Sequence, residues 1–325
     1  MQPKISVVLP AYNEATSIVS TLDRILQMAR SHLSSAADLE VVVVSDGSSD
    51  ATFDRAAEHL AGGNGGSVIQ LVRNVGSHSA IRCGLDHAKG EIVIVMAADG
   101  QDPPEIIPEL LAALQPGIDV VWGQRGSRDH DPILTRLLAG TYYRLFRTLT
   151  GFDYPPSGFD FVAMRRLVVE ALLSYQERNT SVFLLIFNLG FSQTSIEYER
   201  GQRQDGSSGW TFRKRAKLAV DMLTAFSAAP IRLLSLTGVI VGAFGLIFGG
   251  ITMVRGLLGQ IPISGWASLM VISSLMSGLM LMALGFLGEY VWRTLDEVRG
   301  RPLYLEGRRA ELRPAHAPGS ENEPR

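Results

Sequence analysis

Over the first 121 positions, short β-branched runs alternate with stretches in which apolar residues recur at helical spacing. Ile5–Leu9 is an apolar run closed by Pro10 and reads as a buried strand. Glu14–Met28 then sets Ile18, Leu22, Ile25 and Leu26 on one helical face. The pattern repeats: strand Leu39–Val44, turn cluster Ser45–Ser49, helix Ala51–Leu60, strand Val68–Val72, helix Ser79–Ala88, strand Glu91–Met96, helix Glu105–Leu114 and a further strand at Val120–Val121. Such alternation predicts an α/β, Rossmann-like domain with a mostly parallel sheet and helices on both faces. Ligands bind such sheets beyond the carboxyl ends of the strands. That rule singles out three loops: Pro10–Glu14, Ser45–Asp50 and Ala97–Pro104.

The C-terminal third follows a different pattern. No charged residue occurs from Leu233 to Val254, nor from Gly256 to Gly288. Each run exceeds the roughly 20 apolar residues that cross a bilayer as a helix, so a two-helix transmembrane hairpin is expected; two buried helices of a soluble protein are the alternative. Basic residues flank the pair, with Arg213, Lys214, Arg215, Lys217 and Arg232 before it and Arg293, Arg299, Arg301, Arg308 and Arg309 after it. The positive-inside rule then puts both termini in the cytoplasm. Phe212–Phe226 mixes basic and apolar residues in the manner of an interfacial amphipathic helix, or of a packed surface helix. The last stretch, Pro314–Arg325, is rich in Pro, Glu and Gly and reads as disordered. The expected layout is therefore a catalytic domain over 1–210, a juxtamembrane helix over 211–230, two transmembrane helices over 231–293 and a cytoplasmic tail over 294–325.

Composition narrows the function classes. The chain has 325 residues, 46% of them apolar, and a formal net charge of −2, which suits a folded protein and suggests no nucleic-acid partner. Cys83 is its single cysteine, which excludes an intrachain disulfide and a multi-cysteine zinc site. The run after Lys4 is too short for the apolar core of a signal peptide.

The three loops carry the candidate chemistry. Asp46-Gly47-Ser48-Ser49-Asp50 reads either as a ligand loop or as a turn with a helix cap. Asp99, Gln101 and Asp102, before Pro103-Pro104, read either as oxygen ligands or as a solvated turn. Their placement after the most hydrophobic strand favours a hard divalent ion, Mg²⁺ or Mn²⁺, bound partly through substrate phosphates.

Val8-Leu9-Pro10-Ala11-Tyr12-Asn13-Glu14, Ser45-Asp46-Gly47-Ser48-Ser49-Asp50 and Ala98-Asp99-Gly100-Gln101-Asp102-Pro103-Pro104-Glu105 occur in that order. Together they resemble the family 2 glycosyltransferases of GT-A fold. The similarity is to the branch that includes dolichyl-phosphate mannose synthase and the bacterial undecaprenyl-phosphate glucosyl and aminoarabinosyl transferases. Arg73-Asn74 with Gly76, His78, Ser79 and Ala80, and Arg203 with Gly206 and Ser208, are similar to further segments of that branch. The resemblance implies metal-dependent, inverting transfer of a sugar from a nucleotide sugar to polyprenyl (undecaprenyl) phosphate. A UDP-sugar is favoured over a GDP-sugar as donor. The setting would be the cytoplasmic face of the bacterial inner membrane, in a multi-pass protein that forms homo-oligomers. It further implies that Pro10, Tyr12, Glu14, Asp46, Arg125, Arg203 and Ser208 bind the nucleotide sugar. Asp99 and Gln101 would hold the metal, with Asp160 and Asp102 as catalytic carboxylates. Four positions depart from the family pattern: Ser45 and Ala97 stand where aspartates are usual, Gly209 where lysine is usual and Gly100 where leucine is common. An unusual donor would explain the first three, and so would a catalytically impaired, transferase-like membrane scaffold.

Overall fold

The computed structural model describes residues 4–33, 35, 38–62, 64–126, 148, 160–175, 177, 180–199, 229–258 and 265–314. Eight strands form one sheet: β1 (Ile5–Ala11), β2 (Leu39–Ser45), β3 (Asn64–Leu71), β4 (Ile92–Val95), β5 (Val120–Arg125), β6 (Phe161–Arg165), β7 (Gln193–Tyr198) and β8 (Glu306–Pro314). Their spatial order is β7-β5-β6-β4-β1-β2-β3-β8. The β1–β2, β1–β4, β2–β3 and β5–β7 pairs are parallel, whereas β6 runs antiparallel to β4 and β5, and β8 antiparallel to β3. The mostly parallel α/β sheet expected from the sequence is therefore present.

Central strands are buried on both faces, and their composition reflects it. Val7, Val8 and Leu9 of β1 and Val41–Val44 of β2 have no exposed surface. A strand covered on both sides reads as a continuous β-branched run rather than an alternation. The covering helices are α1 (Ile18–His32), α2 (Thr52–Ala61), α3 (Ser77–His87), α4 (Ile107–Ala113), α5 (Arg166–Ser174) and α6 (Val182–Asn188). Helix α1 buries Ile18, Leu22, Ile25, Leu26 and Ala29 against the sheet, the stripe that its spacing predicts. It starts four residues later than the periodicity suggests, because Asn13–Ser17 form a turn tied to the loop after β2. Glycine permits the closest packing at α3: a Cβ on Gly84 would stand 2.3 Å from Cγ1 of Val8.

Two long apolar helices follow, α7 (Ala229–Leu257) and α8 (Trp266–Val298). Among the described residues, one stretch, Leu275–Val298, is long and apolar enough to cross a bilayer; Leu236–Thr252 of α7 is a shorter apolar stretch. Leu275–Val298 lies further along the chain than the uncharged run Gly256–Gly288. Helix α8 begins only at Trp266 and continues past Glu289, whose carboxylate pairs with Arg293 one turn on (2.9 Å). Large apolar side chains, among them Val239, Phe244, Ile251, Leu281 and Trp292, are exposed on these helices.

After α8 the chain returns to the sheet. Strand β8 pairs with β3 from Leu71↔Glu306 to Asn64↔Pro314, in a segment that the sequence reading leaves as tail. The helices and β8 fall in different compact units.

Candidate active site

Chain order places the site. From β1 the chain moves to β2 and β3 on one side, then crosses to β4 on the other. The carboxyl ends of β1 and β4 therefore flank the point where strand order reverses, the crevice in which ligands bind open α/β sheets. The loops after β1, β2 and β4 meet there. β5 runs parallel to these strands and ends at the same edge, and the antiparallel β6 starts there.

Side chains lock the first two loops together. Asn13 adopts φ 55, a left-handed conformation that asparagine tolerates better than most residues. Its N–H donates to Ser48 Oγ (3.1 Å), and its own Oδ1 accepts the Ser49 N–H (2.9 Å). Asp50 accepts the N–H groups of Ala15 and Thr52 (both 3.1 Å), so this carboxylate serves the start of α2 as well as the loop contact. Buried Ser45 donates to Ser48 Oγ (2.9 Å). At this departure from the family pattern, a hydroxyl is thus used within the loop.

Asp46 is buried, and its two carboxylate oxygens accept the N–H groups of Val75 (2.8 Å) and Gly76 (2.9 Å). Burial raises its pKa, against the lowering effect of the two amides. The residue thereby holds the loop that leads into α3. Gly47 lets that loop approach: its φ is +60, and an added Cβ would stand 2.3 Å from the Arg73 carbonyl carbon.

The third loop separates its two aspartates. Asp99 is half-buried, and its Oδ1 accepts the Gln101 N–H (3.1 Å). Asp102 is fully buried, with one oxygen accepting the Ala97 N–H (3.1 Å) and the other the Tyr198 hydroxyl (2.8 Å). Helix α1 supports the loop from its other side. Ser17 Oγ and Thr21 Oγ1 each lie 3.2 Å from the Ala98 carbonyl. Arg24 donates to the Gly100 carbonyl (3.2 Å) and forks onto Glu105 (3.1 and 2.7 Å). Against the cost of partial burial, that guanidinium holds the Glu105 carboxyl below its ordinary range.

Residues 6–174 match the family described as "Glycosyl transferase family 2". The chain belongs to glycosyl transferase family 2. It is 35% identical over 300 residues to a Bacillus subtilis (strain 168) protein named "Uncharacterized glycosyltransferase YkcC", covering 92% of each chain. It is 34% identical over 307 residues to the undecaprenyl-phosphate 4-deoxy-4-formamido-L-arabinose transferase of Photorhabdus laumondii, covering 93% of each. A bactoprenol glucosyl transferase from a Shigella flexneri prophage is 33% identical over 305 residues, with 93% of this chain and 97% of that one covered. Among solved structures, a Pyrobaculum calidifontis mannosyltransferase in complex with GDP-Man and Mn²⁺ shares the fold. Its TM-score is 0.51 at 17% identity, over 92% of this chain and 88% of that one. The GT-A architecture expected from the motifs is thus present.

The family 2 motifs converge as follows. Pro10 is half-buried at the end of β1, Tyr12 is half-exposed beyond it, and Glu14 accepts from Ser17 Oγ (2.7 Å). Asp99 and Gln101 both lie half-buried in the loop after β4. Asp160 is exposed just before β6, and Arg125 closes β5. Asp160 is close enough to His78 to act on it electrostatically. Burial lowers the pKa of that imidazole to about 4, against the raising effect of the Asp160 charge, so it stays neutral near pH 7. Arg203 and Ser208 lie outside the described residues, as does Gly209. Asp102 does not stand beside Asp99 as a second open carboxylate, since it supports the loop from within. Sequence reasoning missed its partner Tyr198, because no element was read between Val121 and Phe212. The alternation of Gln193–Tyr198, with Ile196 and Tyr198 turned to the core, is the signal that would have found it.

Replacing Tyr198 by Phe takes one donor from a buried carboxylate and is expected to cost about 1–3 kcal/mol of stability. Transfer should slow as the Asp99 loop loosens. Thermal unfolding and single-turnover transfer check this; unchanged values for both would remove the pair as support for the loop.

Proposed function

We propose that this family 2 enzyme transfers a sugar from a nucleotide-sugar donor, a UDP-sugar rather than a GDP-sugar, to polyprenyl phosphate. The observation that carries the reading is that similarity to relatives named for undecaprenyl phosphate or bactoprenol does not stop at the catalytic sheet, but spans 93% of the chain.

The fold favours a membrane hairpin with both flanks on one side. β7 precedes the apolar helices and β8 follows them, yet both are strands of one sheet. Two points of a single sheet lie on the same side of a bilayer, so an excursion through it crosses an even number of times. With Arg293, Arg299 and Arg301 at the return, that side is the cytoplasmic one. Among the described residues, an added Cβ at Gly238, Gly242, Gly245 or Gly249 would meet nothing within 4 Å. Small residues left uncovered in this way support helix contacts with a second copy of the chain.

At the switch point, Pro10, Tyr12 and Glu14 on one side and the Asp99 loop on the other flank the donor. Arg125 and Arg203, carried over from the family motifs, would bind its phosphates, for which a permanently charged fork is suited. The carboxylate of Asp99 and the amide oxygen of Gln101 form a hard donor set that fits Mg²⁺ or Mn²⁺ completed by donor phosphates. Such an ion would stabilise charge on the departing diphosphate. The acceptor's second phosphate pKa is about 6, so it is already largely ionised near neutral pH and needs no strong base. Asp160, exposed at the same edge, orients the incoming phosphate for a single displacement that inverts the anomeric centre.

The test is transfer of radiolabelled sugar from a panel of UDP- and GDP-sugars into undecaprenyl phosphate by the purified full chain, with metal and with chelator. Metal-dependent label in the lipid fraction from a UDP-sugar supports the proposal. Transfer from none of them, beside an active relative, would favour the impaired scaffold that Ser45 and Ala97 leave open.

A further inference from the structure

Among the described residues, a set of side chains outside the active-site loops converges. Cys83 and His87 stand one turn apart on α3, and Glu306 opens β8. A ligand atom from each lies within 4.8 Å of the other two. The thiol is buried, the imidazole mostly so, and the Glu306 side chain is about one-third exposed.

The imidazole fixes the argument. His87 Nδ1 lies 2.9 Å from the Cys83 carbonyl, which can only accept, so Nδ1 carries the proton. In the neutral ring, Nε2 then presents a lone pair to Glu306 Oε1 at 3.3 Å. A lone pair, a carboxylate and a sulfur face one another, and none of the three supplies a positive charge. A proton on Nε2 would answer the carboxylate alone, whereas a metal ion answers all three. Holding a ligating histidine by its other nitrogen on a backbone carbonyl is the usual way such a ring is oriented. Around the cluster, Tyr304 donates to Asp86 (3.2 Å), fastening the segment before β8 to the end of α3. Burial, with the Glu306 and Asp86 charges nearby, pushes the Cys83 thiol up to about 12, against the lowering effect of Arg309.

We propose that Cys83, His87 and Glu306 form a zinc-class divalent metal site that clips β8 to α3. The mixed sulfur, nitrogen and oxygen donors suit a borderline-soft ion rather than Mg²⁺. A contraction of roughly 1 Å brings the donors to tetrahedral spacing, with water in the fourth position. On binding, bonds form to Sγ, Nε2 and a Glu306 oxygen, and the thiol proton leaves to solvent.

Cobalt tests this in the full chain after chelator treatment. Co²⁺ is expected to raise a thiolate-to-cobalt charge-transfer band that saturates at one equivalent, is abolished by added Zn²⁺ and is untouched by Mg²⁺. An ion at Asp99 and Gln101 has oxygen donors only and gives no such band. Cys83→Ala should remove the band, and His87→Ala or Glu306→Gln should weaken binding at least about tenfold. Zn²⁺ should raise the unfolding temperature of the parent chain but not of Glu306→Gln, a change at a partly exposed position that bears the test should Cys83→Ala fail to fold. Absence of the band, its persistence in Cys83→Ala, or indifference of binding to both other substitutions would overturn the site.

Discussion

Replacing Asp99 by Asn is expected to slow sugar transfer by roughly 10²–10³-fold, the size of loss that follows removal of a group stabilising transition-state charge. Asp99 is the carboxylate that the loop after β4 leaves half-buried at the switch point, while Asp102 is turned inward onto Tyr198. The substitution keeps an acceptor for the Gln101 N–H, so the loop retains its local hydrogen bond and the unfolding temperature should hardly move. The effect belongs in the chemical step and in the metal dependence: the variant should need more Mg²⁺ or Mn²⁺ and still not regain the parent rate. Single-turnover transfer across a metal titration measures both. A variant that keeps its rate at low metal would remove Asp99 from the centre of the site.

Gly47→Ala is expected to be as damaging by a different route, costing about 2–5 kcal/mol from the left-handed conformation and overpacking together. An added Cβ would stand 2.3, 2.4 and 2.8 Å from backbone atoms of Arg73 and Asn74. Backbone cannot rotate aside as a side chain can. Relief therefore requires the loop before α3 to shift, which pulls Val75 and Gly76 from the Asp46 carboxylate. Thermal unfolding should show a large drop, and donor binding should weaken because the loops after β1 and β2 share side-chain contacts. Native stability in this variant would mean that the loop before α3 is free to move.

The central sheet was legible because burial on both faces leaves a direct mark on sequence. β1, β2 and β4 are runs of Val, Ile and Leu, and the polar loops that follow them are the ones that meet at the crevice. Less could be read where partners are remote. Nothing local distinguishes Asp99 from Asp102; a tyrosine 96 positions further on decides which of them faces inward. β8 left even less trace. Among its described side chains, Glu306–Pro314 contributes Ala310 and Leu312 to the core, and it pairs through its backbone along the edge of β3. Its side chains add Arg308, which pairs with Asp54 (2.8 Å) and lies over the Phe53 ring (4.4 Å). An edge strand with one thin apolar stripe resembles a polar tail.

The late position of β8 in the chain bears on how the enzyme comes to be made. During synthesis, β1 to β7 emerge first, and the edge of β3 then has no neighbour until both long helices have been translated. An uncovered strand edge is a template for pairing with other chains. Completion of the sheet waits on Glu306–Pro314, which are translated after both helices. A truncated chain that ends before α7 would keep every active-site loop described above, yet it would expose β3 permanently and should aggregate where the full chain does not.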